Sequence, residues 1–188
     1  TLTGNVYDSG RYTLPLRTAA STIGYDELRR EQLARRERGD TVQLGIGVAA
    51  YVEITAGGGS GEFGQVVVNP DDTATVFAGT SAHGQGHQTA YAMIVSDRTG
   101  IPIDRITLVD GDTDRVPRGG GTGGSRSLQL GGSAVQRATD VLVERARTLA
   151  AQMLEADEAD IVIDTTAGTI GVAGVPVTAL TWGELARR

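Results

Sequence analysis

The chain has 188 residues with 27 glycines, and its 17 basic against 23 acidic residues leave a formal charge of −6. All the basic residues are arginine, and that excludes the lysine of a Walker phosphate loop, of a protein kinase and of a pyridoxal Schiff base. The absence of cysteine excludes a disulfide framework, thiolate metal sites and a thiol nucleophile within these residues. Net negative charge with few aromatics argues against a nucleic-acid-binding module. No apolar run approaches a membrane span, and residues 1–12 lack the basic start and apolar stretch of a signal peptide, so a soluble chain is expected. The ends read as cuts in a larger protein: Met is not the first residue, and a capping box, Thr181-Trp-Gly-Glu184, opens a helix that runs out at Arg188.

In chain order, residues 25–38 predict a surface helix with a narrow buried stripe of Tyr25, Leu28 and Leu33, stopped by Gly39. Residues 41–55 predict a long strand whose glycines admit another backbone. The pattern Gly45-x-Gly47-x-x-Ala50 lies inside that strand, so it is no dinucleotide fingerprint. A glycine-rich connection over 56–64 leads to a hairpin, 65–68 and 73–78, around Asn69-Pro-Asp-Asp72. A glycine-rich loop, 79–86, then opens a helix with Ala90, Met93 and Ile94 at helical spacing and a stop at Gly100.

Residues 104–109 predict the next strand, and 110–124 a loop with six glycines. A long helix follows, from 125–127 to about 156, burying Leu128, Val135, Leu142, Leu149 and Met153. Gly131 to Ala134 leave its first turns nearly bare, which lets something pack close. A second hairpin, 161–164 and 169–172, and a helix from Trp182 complete one domain over 1–188. The fold class is α/β (α+β), a mixed sheet with packed helices.

The recurring device is strand, glycine loop, helix, found twice. Backbone N–H groups at a helix start, backed by the helix dipole, bind phosphate-like anions. The residues alone leave two readings open, capping turns or the cradle of a phosphate-bearing cofactor. His83 and His87 are four apart but separated by Gly84 and Gly86, which favours a polar loop or cofactor contact over a metal pair. Asp110-Gly-Asp112-Thr-Asp114 imitates a calcium loop, yet Arg115 stands where glycine is needed and Gly121 where glutamate is needed. Turn-forming carboxylates are the better reading. Arg115, Arg118 and Arg126 pair either with Asp112 and Asp114 or with phosphate. No serine, histidine and aspartate triad is legible, so hydrolase chemistry is disfavoured.

The stretches GTSAHGQGHQT (79–89) and GDTDRVPRGGGTGGSRS (111–127), with YDSGRY (7–12) and VEIT (52–55), resemble the molybdenum-binding large subunits of aerobic carbon monoxide dehydrogenases and the wider xanthine dehydrogenase and aldehyde oxidase group. The resemblance spans nearly the whole chain. It implies a molybdopterin cofactor, in the cytosine dinucleotide form, held by Gly84, Gln85, Gly86, His87, Gln88 and Thr89 and by Gly121, Thr122, Gly123, Ser125, Arg126 and Ser127. Gln88 departs from the family pattern, where glutamate is expected, and removes a charge from the first loop.

The implied reaction is oxidation of carbon monoxide, an aldehyde or an N-heteroaromatic, with oxygen drawn from water. Electrons would pass to iron–sulfur and FAD centres on small and medium partner subunits of a cytoplasmic complex. The family's catalytic glutamate is expected beyond these residues, so the resemblance assigns neither a catalytic residue nor a protein metal ligand here. The alternative is a non-catalytic module of the same ancestry that binds a nucleotide-like ligand or serves assembly, with Gln88 as its one supporting feature.

Overall fold

A computed structural model describes the chain apart from residues 1–3, 5, 8–9 and 57–60. The YDSGRY segment and the 56–64 connection therefore lie partly outside the described residues. The chain divides into two compact units, residues 1–52 and 53–188.

The first unit holds helices α1 (Thr13–Thr22) and α2 (Tyr25–Arg38). The ends of α2 fall where Gly24 and Gly39, both left-handed, break the helical path. Its expected stripe is corrected: Leu33 is 52% exposed, Tyr25 is exposed as well, and Gln32 is the buried residue of this helix. The Gln32 amide donates to the Leu44 carbonyl (2.8 Å), a tertiary bond that overrides the apolar pattern. On the outer face Arg35 and Arg38 share Glu31, and hydrogen bonding from Arg35 foremost holds that carboxyl below the ordinary range. The long strand expected over 41–55 does not form. A strand is stabilised by its ladder and cross-strand contacts, and among the described residues none pairs with this segment.

In the second unit, β1 (Gly64–Val68) and β2 (Ala74–Ala78) form the expected hairpin, with Val66 opposite Val76. Its turn is locked by Asn69, whose N–H donates to the Thr73 carbonyl (2.8 Å) and whose side-chain amide donates to Thr73 Oγ1 (2.9 Å). From β2 the chain enters α3 (His87–Thr99) and returns as β3 (Ile106–Val109), parallel to β2. The result is a mixed sheet ordered β1-β2-β3 with α3 as its crossover. Residues 104 and 105, expected to start the strand, belong instead to a turn of 3₁₀ helix, Ile103–Arg105.

The long helix begins as a π turn (Ser127–Gly132) and continues as α4 (Ser133–Leu154). This corrects the expected buried face at its start, since Leu128 on the π turn is 62% exposed. Further along, Val135 is fully buried, and Leu142, Leu149 and Met153 pack partly buried against the core. Ala134, Ala146, Ala150 and Ala151 are buried as well, and their small side chains let α4 lie near both sheets. On α3 the correction is similar, with Met93 exposed and Tyr91, Ala92 and Val95 buried.

A second, antiparallel sheet holds β4 (Ile161–Asp164), β5 (Thr169–Val172) and β6 (Leu180–Thr181), ending in α5 (Trp182–Ala186) with its capping box intact. Val76, Val95, Val135, Ile161 and Ile170 are fully inside, each worth about 1.5–3 kcal/mol of burial. Trp182 joins the second sheet to α3, donating from Nε1 to the Thr99 carbonyl (2.8 Å). Gly100 makes the adjoining close approach, because a Cβ there would stand 2.8 Å from the Gly168 Cα.

Candidate cofactor site

Both glycine loops leave the same end of the mixed sheet, from the C-terminal ends of the parallel strands β2 and β3, and they dock on each other at Gly79. The Gly79 N–H donates to the Phe63 carbonyl (3.1 Å), and the Gly79 carbonyl accepts from Gly121 N–H (3.2 Å). A side chain at Gly79 would meet the Gly119 Cα at 2.7 Å, so the pair can close only without Cβ atoms. Asp110 accepts from Ala82 N–H (3.1 Å), and Asp112 accepts from Asp114 N–H (3.0 Å). Asp112 thus serves its own turn, while Asp110 ties the second loop to the first.

The second loop is anchored by Glu62, a residue the sequence reading passed over. Its carboxylate accepts from Gly120 N–H (3.0 Å), from Phe63 N–H (3.0 Å) and from Arg126 (3.0 Å). The Glu62 side chain is only 3% exposed, and burying that charge is tolerable because Arg126 and the two N–H groups meet it. Its sequence signal was one charged residue inside a glycine-rich connection. Arg126 thus spends its charge inside the protein. Arg115 lies over the Phe77 ring (5.3 Å), and none of Arg115, Arg118 and Arg126 pairs with Asp112 or Asp114, which corrects that alternative. Ser125 takes a left-handed conformation (φ 51°), uncommon for a residue with a side chain, and its hydroxyl donates to Glu53 (2.9 Å). Thr122 and Ser127 join hydroxyls (2.9 Å).

Tyr91 ties the loops to the core. Its hydroxyl lies 2.7 Å from Thr80 Oγ1 and donates to the Ser127 carbonyl (2.9 Å), and burial raises its pKa. Gly131 packs directly on that hydroxyl, as the bare first turns of the long helix predicted.

At the start of α3, Gly86 is the N-cap in left-handed conformation and supplies no side-chain cap. The first helical N–H groups, from His87 to Thr89, precede any intrahelical bond, since Ala90 is the first to bond back, to Gly86. His87 is buried and stacked on Tyr91 (5.3 Å), and neither ring nitrogen has a partner. A buried imidazole without partners demands explanation. His83, by contrast, lies exposed in the loop. At Gly84, Gly86, Gly121, Gly123 and Gly124 an added Cβ would meet nothing within 4 Å, so both loops border open space. Gln85 bends back onto the N–H of His83. An anionic group with acceptor oxygens fits this set of donors, and the orphaned imidazole supports that fit.

Gln88 points elsewhere. Its side-chain amide donates to the Ile106 carbonyl (2.7 Å) and its oxygen accepts from Leu108 N–H (2.8 Å), so it acts as a short extra strand on the outer edge of β3. Glutamate would lack the donor for Ile106.

Among solved structures, the chain is similar to the reconstituted CO dehydrogenase from Oligotropha carboxidovorans (TM-score 0.65, 36% identity, 96% of this chain and 24% of that one). It is also similar to quinoline 2-oxidoreductase from Pseudomonas putida 86 (TM-score 0.62, 29% identity, 97% and 24%). Among curated proteins, the carbon monoxide dehydrogenase large chain of Afipia carboxidovorans is 37% identical over 96% of this chain. The 6-hydroxypseudooxynicotine dehydrogenase complex subunit gamma of Paenarthrobacter nicotinovorans is 36% identical over 89%. The chain spans 24% and 20% of the lengths of these two relatives. The sequence model of the molybdopterin cofactor-binding domain matches residues 18–188, nearly the whole chain, and the chain belongs to that family.

Proposed function

We propose that residues 1–188 form one part of the cofactor-binding region of a molybdenum hydroxylase large subunit and hold molybdopterin as its cytosine dinucleotide. The observation that carries the reading is the buried His87 imidazole, unpartnered beside the uncapped start of α3. The N–H groups of His87, Gln88 and Thr89 would take phosphate oxygens, and the His87 ring would add a hydrogen bond. Gly84, Gln85, Gly86, Gly121, Thr122, Gly123, Ser125 and Ser127 would border the cofactor. Arg126 would act through the shape of the second loop, since Glu62 already holds its charge. Gln88 would contribute its backbone alone, and its strand contact accounts for the residue that favoured a non-catalytic module.

When bound, the cofactor supplies the oxidation of substrate with oxygen from water. This chain's residues bind and orient it. The names of the relatives support an assembly: one is a large chain and another a subunit of a dehydrogenase complex. We assign the remainder of the large subunit, an iron–sulfur small subunit and an FAD medium subunit as partners, in the cytoplasm. Carbon monoxide, aldehydes and N-heteroaromatics remain the substrate classes. No helix among the described residues is long and apolar enough to cross a membrane.

The test is elemental analysis of the full-length parent, made in a host that supplies the cofactor, together with the nucleotide released by acid. The expected result is molybdenum near one per chain with cytidine monophosphate. Absence of both would overturn the reading.

A further inference from the structure

Among the described residues no strand pairs with the outer edge of β1, and this is the starting observation. β1 ends its sheet, and its ladder to β2 uses the odd-numbered residues: Phe63 accepts from Gly79, and Asn69 bonds Thr73. In an antiparallel pair the alternate residues direct their N–H and C=O groups the other way. Gly64, Val66 and Val68 therefore offer a row of backbone donors and acceptors to the outside. Natural edge strands are protected by charge, proline or a bulge, and β1, Gly-Gln-Val-Val-Val, has none of these.

Alongside this edge runs α4, and the two enclose a groove of about 770 Å³. Its apolar floor includes Val66, Val141 and Leu142, while Arg118, Arg137 and Arg145 rim it. All three arginines are exposed, and among the described residues none of their side chains makes an ion pair or hydrogen bond. The only carboxylate in the lining, Glu62, is held by Arg126. Three unpaired cations thus line one groove of a chain with net charge −6.

The spacing of the rim narrows the occupant. Arg137, Val141 and Arg145 are successive i, i+4 positions on one face of α4, so the two arginines are separated by about 12 Å along the axis. Residues four apart on a strand face the same way and lie about 13 Å apart. A single phosphate would meet one arginine. An extended peptide with carboxylates at every second position would meet both while its backbone pairs with β1. We propose that the β1–α4 groove receives an acidic extended segment of a partner polypeptide, added as a fourth strand to the mixed sheet. Main-chain bonds to Gly64, Val66 and Val68 hold it, and the arginines select its charge. Pairing of two β1 edges from separate copies would set their arginine rims against each other, which disfavours self-association here.

The test uses the 188-residue chain with two probes, acetyl-EVEVEVE-amide and acetyl-KVKVKVK-amide, followed by amide chemical shifts and hydrogen exchange. The glutamate peptide is expected to shift and protect the amides of Gly64, Val66 and Val68, and the lysine peptide to leave them unchanged. Arg137→Glu with Arg145→Glu, both at exposed positions, should weaken binding of the glutamate peptide about tenfold or more. A melting curve checks that this variant is folded. Equal effects of the two peptides, or of neither, would overturn the proposal. So would inorganic phosphate perturbing the arginines as strongly as the peptide does, or β1 protection that depends only on protein concentration.

Discussion

His87 carries two functions that a single substitution separates. A buried polar group without partners costs stability, while the same group is the donor or acceptor offered to a ligand. His87→Leu keeps volume and removes both nitrogens. It should raise the stability of the chain by about 1 kcal/mol, read by denaturant unfolding, while molybdenum content of the full-length parent falls. A loss of stability with unchanged molybdenum would show that the imidazole is a packing group. Gln88 behaves in the opposite way. Gln88→Glu restores the family's charge but places a carboxylate against the Ile106 carbonyl, and we expect a loss of about 1–2 kcal/mol with no gain in molybdenum content. A residue that reads as a departure within a motif is, in the folded chain, the cap on a strand edge.

At the scale of elements, the hairpin turn and α5 are joined by one carboxylate. Asp72 accepts from the Gly183 N–H (2.6 Å), and that bond, with one from Thr181, lowers its pKa below the usual aspartate range. Because the folded pKa lies below the unfolded one, the stability it adds is complete above the unfolded value near 3.8 and is lost as pH falls through the folded value. Melting temperatures of the unaltered chain and of Asp72→Asn should therefore differ at neutral pH and converge in strong acid. Turn chemistry made such elements legible: Asn69-Pro-Asp-Asp72, Gly39, Gly100 and the Thr181 capping box each mark a boundary found in the fold. The 41–55 segment departs from its expected strand because a β-rich composition does not itself supply a neighbouring strand to pair with. Of the candidate cofactor site, the two loops are visible as motifs. Their clamp is not, since Glu62, Tyr91 and Glu53 reach across dozens of residues to bonds that local pattern does not encode.

Across the second unit, α4 spans both sheets and Trp182 bridges them. With Ala146, Ala150 and Ala151 buried beside Ile161 and Ile170, the antiparallel sheet has no separate core of its own. Trp182 is the sole tryptophan and is buried, so its fluorescence reports this junction. Its emission change and the loss of far-ultraviolet ellipticity from residues 53–188 should share one denaturation midpoint. Trp182→Phe leaves the Thr99 carbonyl without its indole donor and should cost about 1–3 kcal/mol. Two separated fluorescence and ellipticity midpoints would show that the sheets unfold independently.

The π turn before α4 also sets a rule for how such a chain can change in length. Its i→i+5 winding holds more residues per turn than the α-helix that follows, so deleting one from Ser127–Gly132 would tighten the wide turn into α-helical winding and change which residues it presents to α3. Gly131 would leave Tyr91, and Ser127 would lose the tyrosine hydroxyl. Gains and losses of residues are therefore tolerable among the exposed positions near Asp114, whereas the six residues of the π turn form a fixed-length gear between helix and loop.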